Sequence, residues 1–194
     1  MKRAFDAVAS LLLVVVLSPL LVAVALVVRL TSFGPALFRQ ERIGLKGQPF
    51  TLYKFRTMHG ADDSKRPHAP RVEDWDSYVF SLPGDRARTT RIGGFLRKSG
   101  LDELPQLWNV LRGEMSLVGP RPEIPDLVEQ YPPAYHRRHD VRPGITGLAQ
   151  VQGRRELPYG AILGYDLQYV DSHPLWRDVV ILWRTVAAVL RRRE

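Results

Sequence analysis

The chain has 194 residues, which fits one domain with a sizeable core better than two. It contains no cysteine, so a disulfide framework, a thiolate nucleophile and a cysteine zinc site are all excluded. A formal net charge of +8 indicates acidic partners, a class that includes nucleic acid, anionic lipid headgroups and phosphorylated small molecules. Composition alone does not choose among these three.

The first element is an almost wholly apolar segment over residues 7–28. As one straight helix it would extend roughly 33 Å, enough to cross the hydrocarbon core of a bilayer. The segment is too long for a signal peptide, and no small-residue cleavage site follows it. We therefore expect a membrane segment that is retained.

Ser18 and Pro19 lie near the middle of this segment and predict a sharp bend. Proline removes a backbone donor, and the serine hydroxyl can satisfy the carbonyl that is left free. By the positive-inside rule, the bases on both flanks favour the cytoplasm for both ends. These bases are Lys2, Arg3, Arg29, Arg39, Arg42 and Lys46, and Asp6 is placed to pair with one of them. The pattern favours a re-entrant helix, with a kinked spanning helix as the alternative.

Two short extended pieces follow, over residues 36–42 and 49–58, with a turn at 44–47 between them. In the second piece Lys54 and Arg56 alternate with aromatic residues, so the two bases would share one face of a strand. Taken alone, these two bases indicate a solvated basic edge.

Residues 59–88 read as a polar excursion rather than core, because no period persists there. A short aromatic patch, Trp75, Tyr78 and Phe80, is the exception. The acids of this stretch follow no metal-ligand spacing and are interpreted as solvated; they are Asp62, Asp63, Glu73 and Asp74.

Three further helices are predicted. Residues 89–98 form a basic amphipathic helix suited to anionic headgroups. Residues 124–139 form another, although two adjacent prolines interrupt it. Residues 175–193 carry Trp176 and Trp183 on a basic amphipathic pattern, for which a membrane interface and core packing are equal alternatives.

The segment 101–123 carries the most chemistry. Asp102 and Glu103 open a short helix, in which four apolar residues are expected to pack inward: Leu104, Leu107, Trp108 and Leu111. Adjacent acids project about 100° apart, so they cannot act as the facing carboxylates of a glycosidase. One can act as a nucleophile while the other handles a proton or a metal. A helix start favours both an ionised carboxylate and a bound phosphate.

Acids in a first helical turn usually serve only as caps, so their neighbours decide the interpretation. Arg97 precedes the pair, and Arg121 follows it between two prolines that restrict its backbone. Further along, glycines beside Arg142 and Arg154 suit a close approach to phosphate. The pair is thus surrounded in sequence by anion-binding groups.

Together these segments resemble the bacterial sugar transferases of the monotopic polyprenyl-phosphate phosphoglycosyl transferase type. The resemblance rests on the apolar segment with its Ser-Pro pair and on four later motifs in order: KFRTM at 54–58, the segment 101–123, RPGITGL at 142–148 and Gly153-Arg154. It covers nearly the whole chain, whose length is similar to that of the minimal members. Ala149 departs from the pattern, because many relatives carry a bulkier aromatic residue there.

The resemblance implies transfer of a sugar 1-phosphate from a UDP-sugar to undecaprenyl phosphate, with release of UMP, as the first membrane step of surface glycan assembly. It implies that Asp102 forms a covalent phosphosugar intermediate, and that Glu103 takes a proton or helps to hold Mg²⁺. Asp102 would also belong to the metal's coordination sphere. The implied phosphate contacts are Lys54, Arg56, Arg97, Arg121, Arg142 and Arg154.

The expected fold is mainly α with a few short β-strands, in a monotopic protein with interfacial amphipathic helices. Residues 1–33 would form the re-entrant helix, and residues 34–194 one interfacial catalytic domain on the cytoplasmic face of a bacterial inner membrane. The expected partners are a UDP-sugar, undecaprenyl phosphate and anionic lipids, without nucleic acid; a homo-oligomer and the identity of the sugar stay open. The competing hypotheses are a non-catalytic, membrane-anchored basic module that binds anionic lipid or nucleic acid, and a phosphohydrolase that uses water as the acceptor.

Overall fold

The computed structural model describes residues 1–60, 69–79, 88–153 and 157–191. Helices make up most of this part of the chain and the strands are short, which confirms the predicted fold class. The helices are α1 (Lys2–Thr31), α2 (Arg91–Ser99), α3 (Gln106–Arg112), α4 (Pro125–Val128), α5 (Leu148–Val151), α6 (Tyr159–Asp171) and α7 (Leu175–Arg191). The strands are β1 (Leu37–Ile43), β2 (Pro49–Phe55), β3 (Ser116–Val118) and β4 (Gly144–Thr146), and 3₁₀ turns occur at Leu45–Gly47, Leu101–Glu103 and Pro133–Asp140.

Helix α1 is long and apolar enough to cross a membrane, and it continues through Pro19 as one helix. Pro19 has no N–H to donate to Val15, four residues earlier. The Ser18 hydroxyl donates to the Val15 carbonyl oxygen instead, over 2.8 Å. The predicted compensation of the proline by its serine neighbour is therefore present.

The start of α1 is attached to the folded body by polar contacts. Arg3 donates to the carbonyl oxygen of Leu111 over 2.8 Å, at the end of α3. Asp6 is buried and accepts a hydrogen bond from the Ser116 hydroxyl over 2.8 Å, at the start of β3. The expectation that Asp6 pairs with a flanking base is wrong, because the two nearest bases bond elsewhere: Arg3 to α3 and Lys2 to Asp178 of α7.

The end of α1 is attached to the same body by apolar contacts. Val24 and Val28 are buried and form one core cluster with Phe55 of β2 and Leu96 of α2. Most of the large apolar residues between the two attachments are exposed, namely Leu11, Leu12, Leu13, Val15, Val16, Leu20 and Val22. Both ends of α1 thus contact one folded unit, and its middle is left uncovered.

Two small sheets connect the helices. Strands β1 and β2 form an antiparallel hairpin, as the extended pieces predicted, and β3 and β4 pair in parallel. A Cβ on Gly144 would lie 2.1 Å from the amide nitrogen of Gly119, so this glycine lets two backbones approach. Gly144 was among the glycines expected to let a phosphate approach, and its lack of a side chain serves backbone packing instead.

The structure contradicts two predictions about helices. The helix expected over 124–139 is interrupted at Pro132 and Pro133 as predicted, but its first part is only the four residues of α4 and its second part is a 3₁₀ turn. The rings of these prolines would clash with helical carbonyl groups four residues earlier, at Val128 and Glu129, where α4 ends. Trp108 does not pack inward: it is 55% exposed, whereas Leu107 is buried and Leu104 packs against the core cluster that includes Leu107, Val110 and Met115. The buried face of α3 is formed by Gln106, Leu107, Asn109 and Val110.

The described part of the polar excursion, residues 69–79, is less peripheral than predicted. Trp75 packs against Tyr131 and Tyr159, with ring centroids 5.4 and 5.7 Å apart. Glu73 and Asp74 are exposed, as expected. Asp62, Asp63 and Phe80 lie outside the described residues.

Helix α7 turns its tryptophans outward. Trp176 is 68% exposed and Trp183 is 74% exposed, whereas Asp178 and Ile181 on the opposite side are buried. The core-packing alternative is therefore wrong for both tryptophans. An outward apolar face with indole rings is typical of a helix at a membrane interface.

Candidate active site

The acid pair lies in the 3₁₀ turn between α2 and α3. Gly100 ends α2 in the left-handed region, with φ of 72°, and this reverses the chain into the turn. Pro105 then precedes α3. Asp102 is 9% exposed, and the Glu103 side chain is 22% exposed. The sequence correctly predicted a short helical start, and the structure adds that the first acid is buried.

Arg121 lies against this pair. Its Nη1 is 2.9 Å from Oε1 of Glu103. The two residues before Arg121 are held to β4 by backbone hydrogen bonds. Gly119 N–H donates to the Thr146 oxygen over 2.9 Å, and Gly144 N–H donates to the Pro120 oxygen over 2.8 Å. The rigid Gly-Pro-Arg-Pro turn therefore presents a guanidinium directly to the carboxylates.

The pKa of Asp102 is raised to about 6. Burial is the largest cause, and the neighbouring Glu103 carboxylate adds to it. Three cations act in the opposite direction: Lys54, Arg121 and Arg97. These three predicted phosphate contacts are therefore close enough to Asp102 to act on its charge.

Lys54 is the cation most changed by this environment. Burial lowers its pKa to about 8, with further lowering by Arg42 and Arg121, while the two acids oppose the shift. Its ammonium lies 4.9 Å from the ring centroid of Phe38 across the hairpin. The interpretation of a solvated basic edge is wrong, because Lys54 is half-buried and Arg56 is buried.

Three other predicted phosphate contacts are not shown beside the pair. Arg56 donates through Nε to the Pro35 oxygen over 2.9 Å, which supports the chain after α1. Arg142 donates through Nε to the Gly113 oxygen over 2.8 Å, at the opposite end of α3 from the acids. Arg154 lies outside the described residues.

Two charged residues of the site were missed by the sequence reasoning. Nη1 of Arg42, on β1, lies 3.4 Å from Oε2 of Glu123, and both side chains are largely buried. Burial lowers the pKa of Arg42, and Glu123 opposes this shift. Ile43 N–H also donates to the Glu123 oxygen over 2.9 Å, so the hairpin reaches the turn that carries Arg121. Only the position of Glu123 directly after the Gly-Pro-Arg-Pro motif could have indicated it.

The donor set fits Mg²⁺. The described residues contain no group of three or more His, Cys, Asp or Glu side chains placed to hold a metal. Mg²⁺ commonly binds through one or two carboxylates and completes its shell with substrate phosphates and water. Asp102 and Glu103 would provide two hard oxygen ligands, and Lys54 and Arg121 beside them would hold the phosphates.

A buried Asp102 beside a half-buried Glu103, with cations around them and a long apolar helix nearby, is typical of an enzyme that acts on phosphate groups at a membrane. The family model described as "Bacterial sugar transferase" matches residues 1–192, and the chain belongs to this family. Membership confirms the resemblance inferred from the sequence motifs.

Three relatives illustrate the range of the family. The chain is 45% identical to the "UDP-glucose:undecaprenyl-phosphate glucose-1-phosphate transferase" of Caulobacter vibrioides, over 97% of the chain and 69% of the relative. It is 41% identical to the "Undecaprenyl-phosphate galactose phosphotransferase" of Salmonella typhimurium, over 99% of the chain and 41% of the relative. It is 39% identical to the "Exopolysaccharide production protein ExoY" of Rhizobium meliloti, over 99% of the chain and 86% of the relative. These names support the predicted phosphoglycosyl transferase.

Proposed function

We propose that the protein transfers a sugar 1-phosphate from a UDP-sugar to undecaprenyl phosphate and releases UMP. The observation that carries this proposal is the buried Asp102 beside Glu103, with Arg121, Lys54 and Arg97 around them. Phosphoryl transfer needs alignment and neutralised charge more than elaborate proton transfer, and such a cluster provides both. The relatives named for glucose and for galactose leave the sugar of this chain open.

The reaction has two displacements at one phosphorus atom. In the first, a carboxylate oxygen of Asp102 attacks the phosphorus joined to the sugar, the bond from that phosphorus to the UMP oxygen breaks, and UMP leaves. In the second, a phosphate oxygen of the lipid attacks the same phosphorus, the bond to Asp102 breaks, and the lipid diphosphate sugar leaves. Glu103 lies beside the nucleophile and would take the proton of the lipid phosphate.

Mg²⁺ is part of the proposal, with Asp102 and Glu103 as its protein ligands. When bound, the ion would neutralise charge on the phosphate oxygens. Arg121 holds Glu103 at 2.9 Å and so fixes the direction of that carboxylate. Chelation with EDTA should abolish UMP release, added Mg²⁺ should restore it, and Ca²⁺ should restore much less. Full activity in EDTA would contradict the metal assignment.

The test of the nucleophile is Asp102→Asn, with Asp140→Asn as the control because Asp140 is exposed. With a UDP-sugar, Mg²⁺ and excess undecaprenyl phosphate, Asp102→Asn should release no UMP and the control should match the wild type. Without lipid, the wild type should release about one UMP per enzyme and gain the mass of one sugar phosphate. Normal turnover by Asp102→Asn would refute the assignment.

The same experiment separates the alternatives. A non-catalytic basic module would release no UMP under any condition, and a phosphohydrolase would turn over repeatedly without lipid. Buried acids within a basic surface argue against a simple anion-binding module, because they repel the ligand unless they react or hold a metal.

We further propose that residues 1–33 form a re-entrant helix and residues 34–194 an interfacial catalytic domain on the cytoplasmic face of a bacterial inner membrane. Supporting this, both ends of α1 contact one folded unit, and α7 has an outward face of indole rings. Such a position would bring a dissolved nucleotide sugar and a lipid phosphate at headgroup level to one site. Anionic lipids fit the net positive charge.

A further inference from the structure

The main chain of Arg121 is held by a second, fully buried arginine. Arg138 lies in the 3₁₀ turn Pro133–Asp140 and is 2% exposed. Its Nη2 donates a hydrogen bond to the carbonyl oxygen of Arg121 over 2.8 Å. The backbone of Arg121 is therefore held by Arg138, in addition to the bonds that join the two preceding residues to β4.

Two other groups fix Arg138 itself. Its Nη2 also donates to Oδ2 of Asp166 on α6, a residue that is 1% exposed, and its Nη1 donates to the Tyr131 hydroxyl over 2.7 Å. A guanidinium presents its donors in a rigid planar fork, so partners on both terminal nitrogens set its orientation. A lysine ammonium has a single compact head and cannot reproduce this geometry.

We propose that Arg138, oriented by Asp166, is a positioning residue for Arg121 in phosphate transfer. The inference rests on the proposed function, because it requires Arg121 to contact a phosphate of the nucleotide. If the hydrogen bonds of the Arg138 guanidinium are lost, the turn that carries Arg121 can shift relative to Glu103 and Lys54. A misplacement of about 1 Å at a positioned group can lower a rate about 100-fold.

The chain offers a matched control in the neighbouring residue. Arg137 pairs with Asp171, so it joins the same 3₁₀ turn to the same helix, α6. This pair is solvent-exposed, with side chains 55% and 57% accessible, and Arg137 makes no bond to Arg121 within the described residues. Arg137→Lys therefore changes an arginine–aspartate pair between the same 3₁₀ turn and α6, and it should not affect the position of Arg121.

The experiment is a double-mutant cycle on UMP release with UDP-glucose, UDP-galactose or a UDP-linked N-acetylated amino sugar, whichever the wild type uses. Arg138→Lys should lower kcat by roughly 10- to 100-fold, while in the Arg121→Ala background it should lower it by less than about 3-fold. Arg137→Lys should have no effect in either background. A purely structural role predicts the same factor with and without the Arg121 side chain, and that result would overturn the proposal.

A binding measurement keeps this test separate from the proposed function. UDP affinity, measured by calorimetry on the same variants, should fall for Arg138→Lys only when Arg121 is present. Absence of UMP release by the wild type would contradict the proposed function, whereas equal losses of UDP affinity in both backgrounds would contradict the positioning role. A melting temperature for each variant shows that the proteins compared are folded.

Discussion

At the scale of single residues, the site moves two pKa values toward each other. Burial raises the pKa of Asp102 to about 6 and lowers that of Lys54 to about 8. The proposed chemistry needs the ionised form of both groups, a carboxylate that attacks and an ammonium that binds phosphate. The active combination is thus most populated between these two values.

The ratio kcat/KM for the UDP-sugar should therefore follow a bell-shaped pH profile. It should rise as the pH increases because Asp102 loses its proton, with a midpoint at about 6 or lower because bound Mg²⁺ favours the ionised carboxylate, and fall as the pH increases through about 8, because Lys54 loses its proton. Initial rates of UMP release from about pH 5 to about pH 10 measure both limbs.

Lys54→Arg identifies the group behind the basic limb. A guanidinium does not titrate in this range, so the fall above about pH 8 should disappear while the acidic limb stays. A basic limb that is unchanged in this variant would assign it to a group other than Lys54.

The sequence predicted part of the site: local pattern identified some residues, the family resemblance added Lys54 and Arg97 as phosphate contacts, and two residues that folding brings near were missed. The adjacent acids and the arginine between prolines were found from local pattern. Arg42 and Glu123 are 81 positions apart and meet through one backbone bridge from the hairpin, which no local pattern encodes. Arg56 donates through Nε to the Pro35 oxygen, and its contact with phosphate stays a prediction from the motif.

At the scale of elements, predictions succeeded where one periodicity runs without a break. The apolar segment, the hairpin and the amphipathic patterns of α2 and α7 all gave elements of the expected type. The failures have local causes. The region 124–139 has apolar residues at helical spacing, but its prolines limit α4 to Pro125–Val128. Trp108 follows the apolar pattern of α3, yet the buried stripe includes the polar Gln106 and Asn109 instead.

The packing of α2 against the end of β2 gives a matched pair of substitutions. A Cβ on Gly93 would lie 2.1 Å from the Thr57 carbonyl oxygen, whereas a Cβ on Gly94 would come no closer than 3.9 Å to Thr89. Gly93→Ala should therefore destabilise the fold by about 1–3 kcal/mol. Gly94→Ala should stabilise it by about 0.5–1 kcal/mol, because it removes glycine from a helix interior.

Thermal unfolding of both variants in the same detergent measures this difference. The melting temperature should fall for Gly93→Ala and stay level or rise for Gly94→Ala. Equal losses in the two variants would indicate that α2 tolerates no β-carbon at either position, and that the contact with Thr57 is not the cause.

At the scale of the whole molecule, the attachment of α1 determines how the site can meet a membrane. The polar start of the helix is bonded to α3 and β3, and its apolar end packs on β2 and α2. These same elements flank the acid pair, so the membrane helix and the site form one unit. A helix that crossed the bilayer would place its first residue on the side opposite the domain, and the contacts of Arg3 and Asp6 would be lost.

Cysteine labelling in intact cells tests this arrangement, because the chain has no native cysteine to give a background. One cysteine is inserted between Met1 and Lys2, and a second variant carries Gln48→Cys, an exposed position after α1. Both should be protected from a membrane-impermeant maleimide in intact cells and react after permeabilisation, since the positive charges on both flanks favour the cytoplasm. Labelling of only the first cysteine in intact cells would indicate a spanning helix and would contradict the re-entrant assignment. Protection of both cysteines, with UMP release retained, would support the re-entrant assignment. In that arrangement the start of α1 keeps its hydrogen bond to β3, the strand that leads into Arg121.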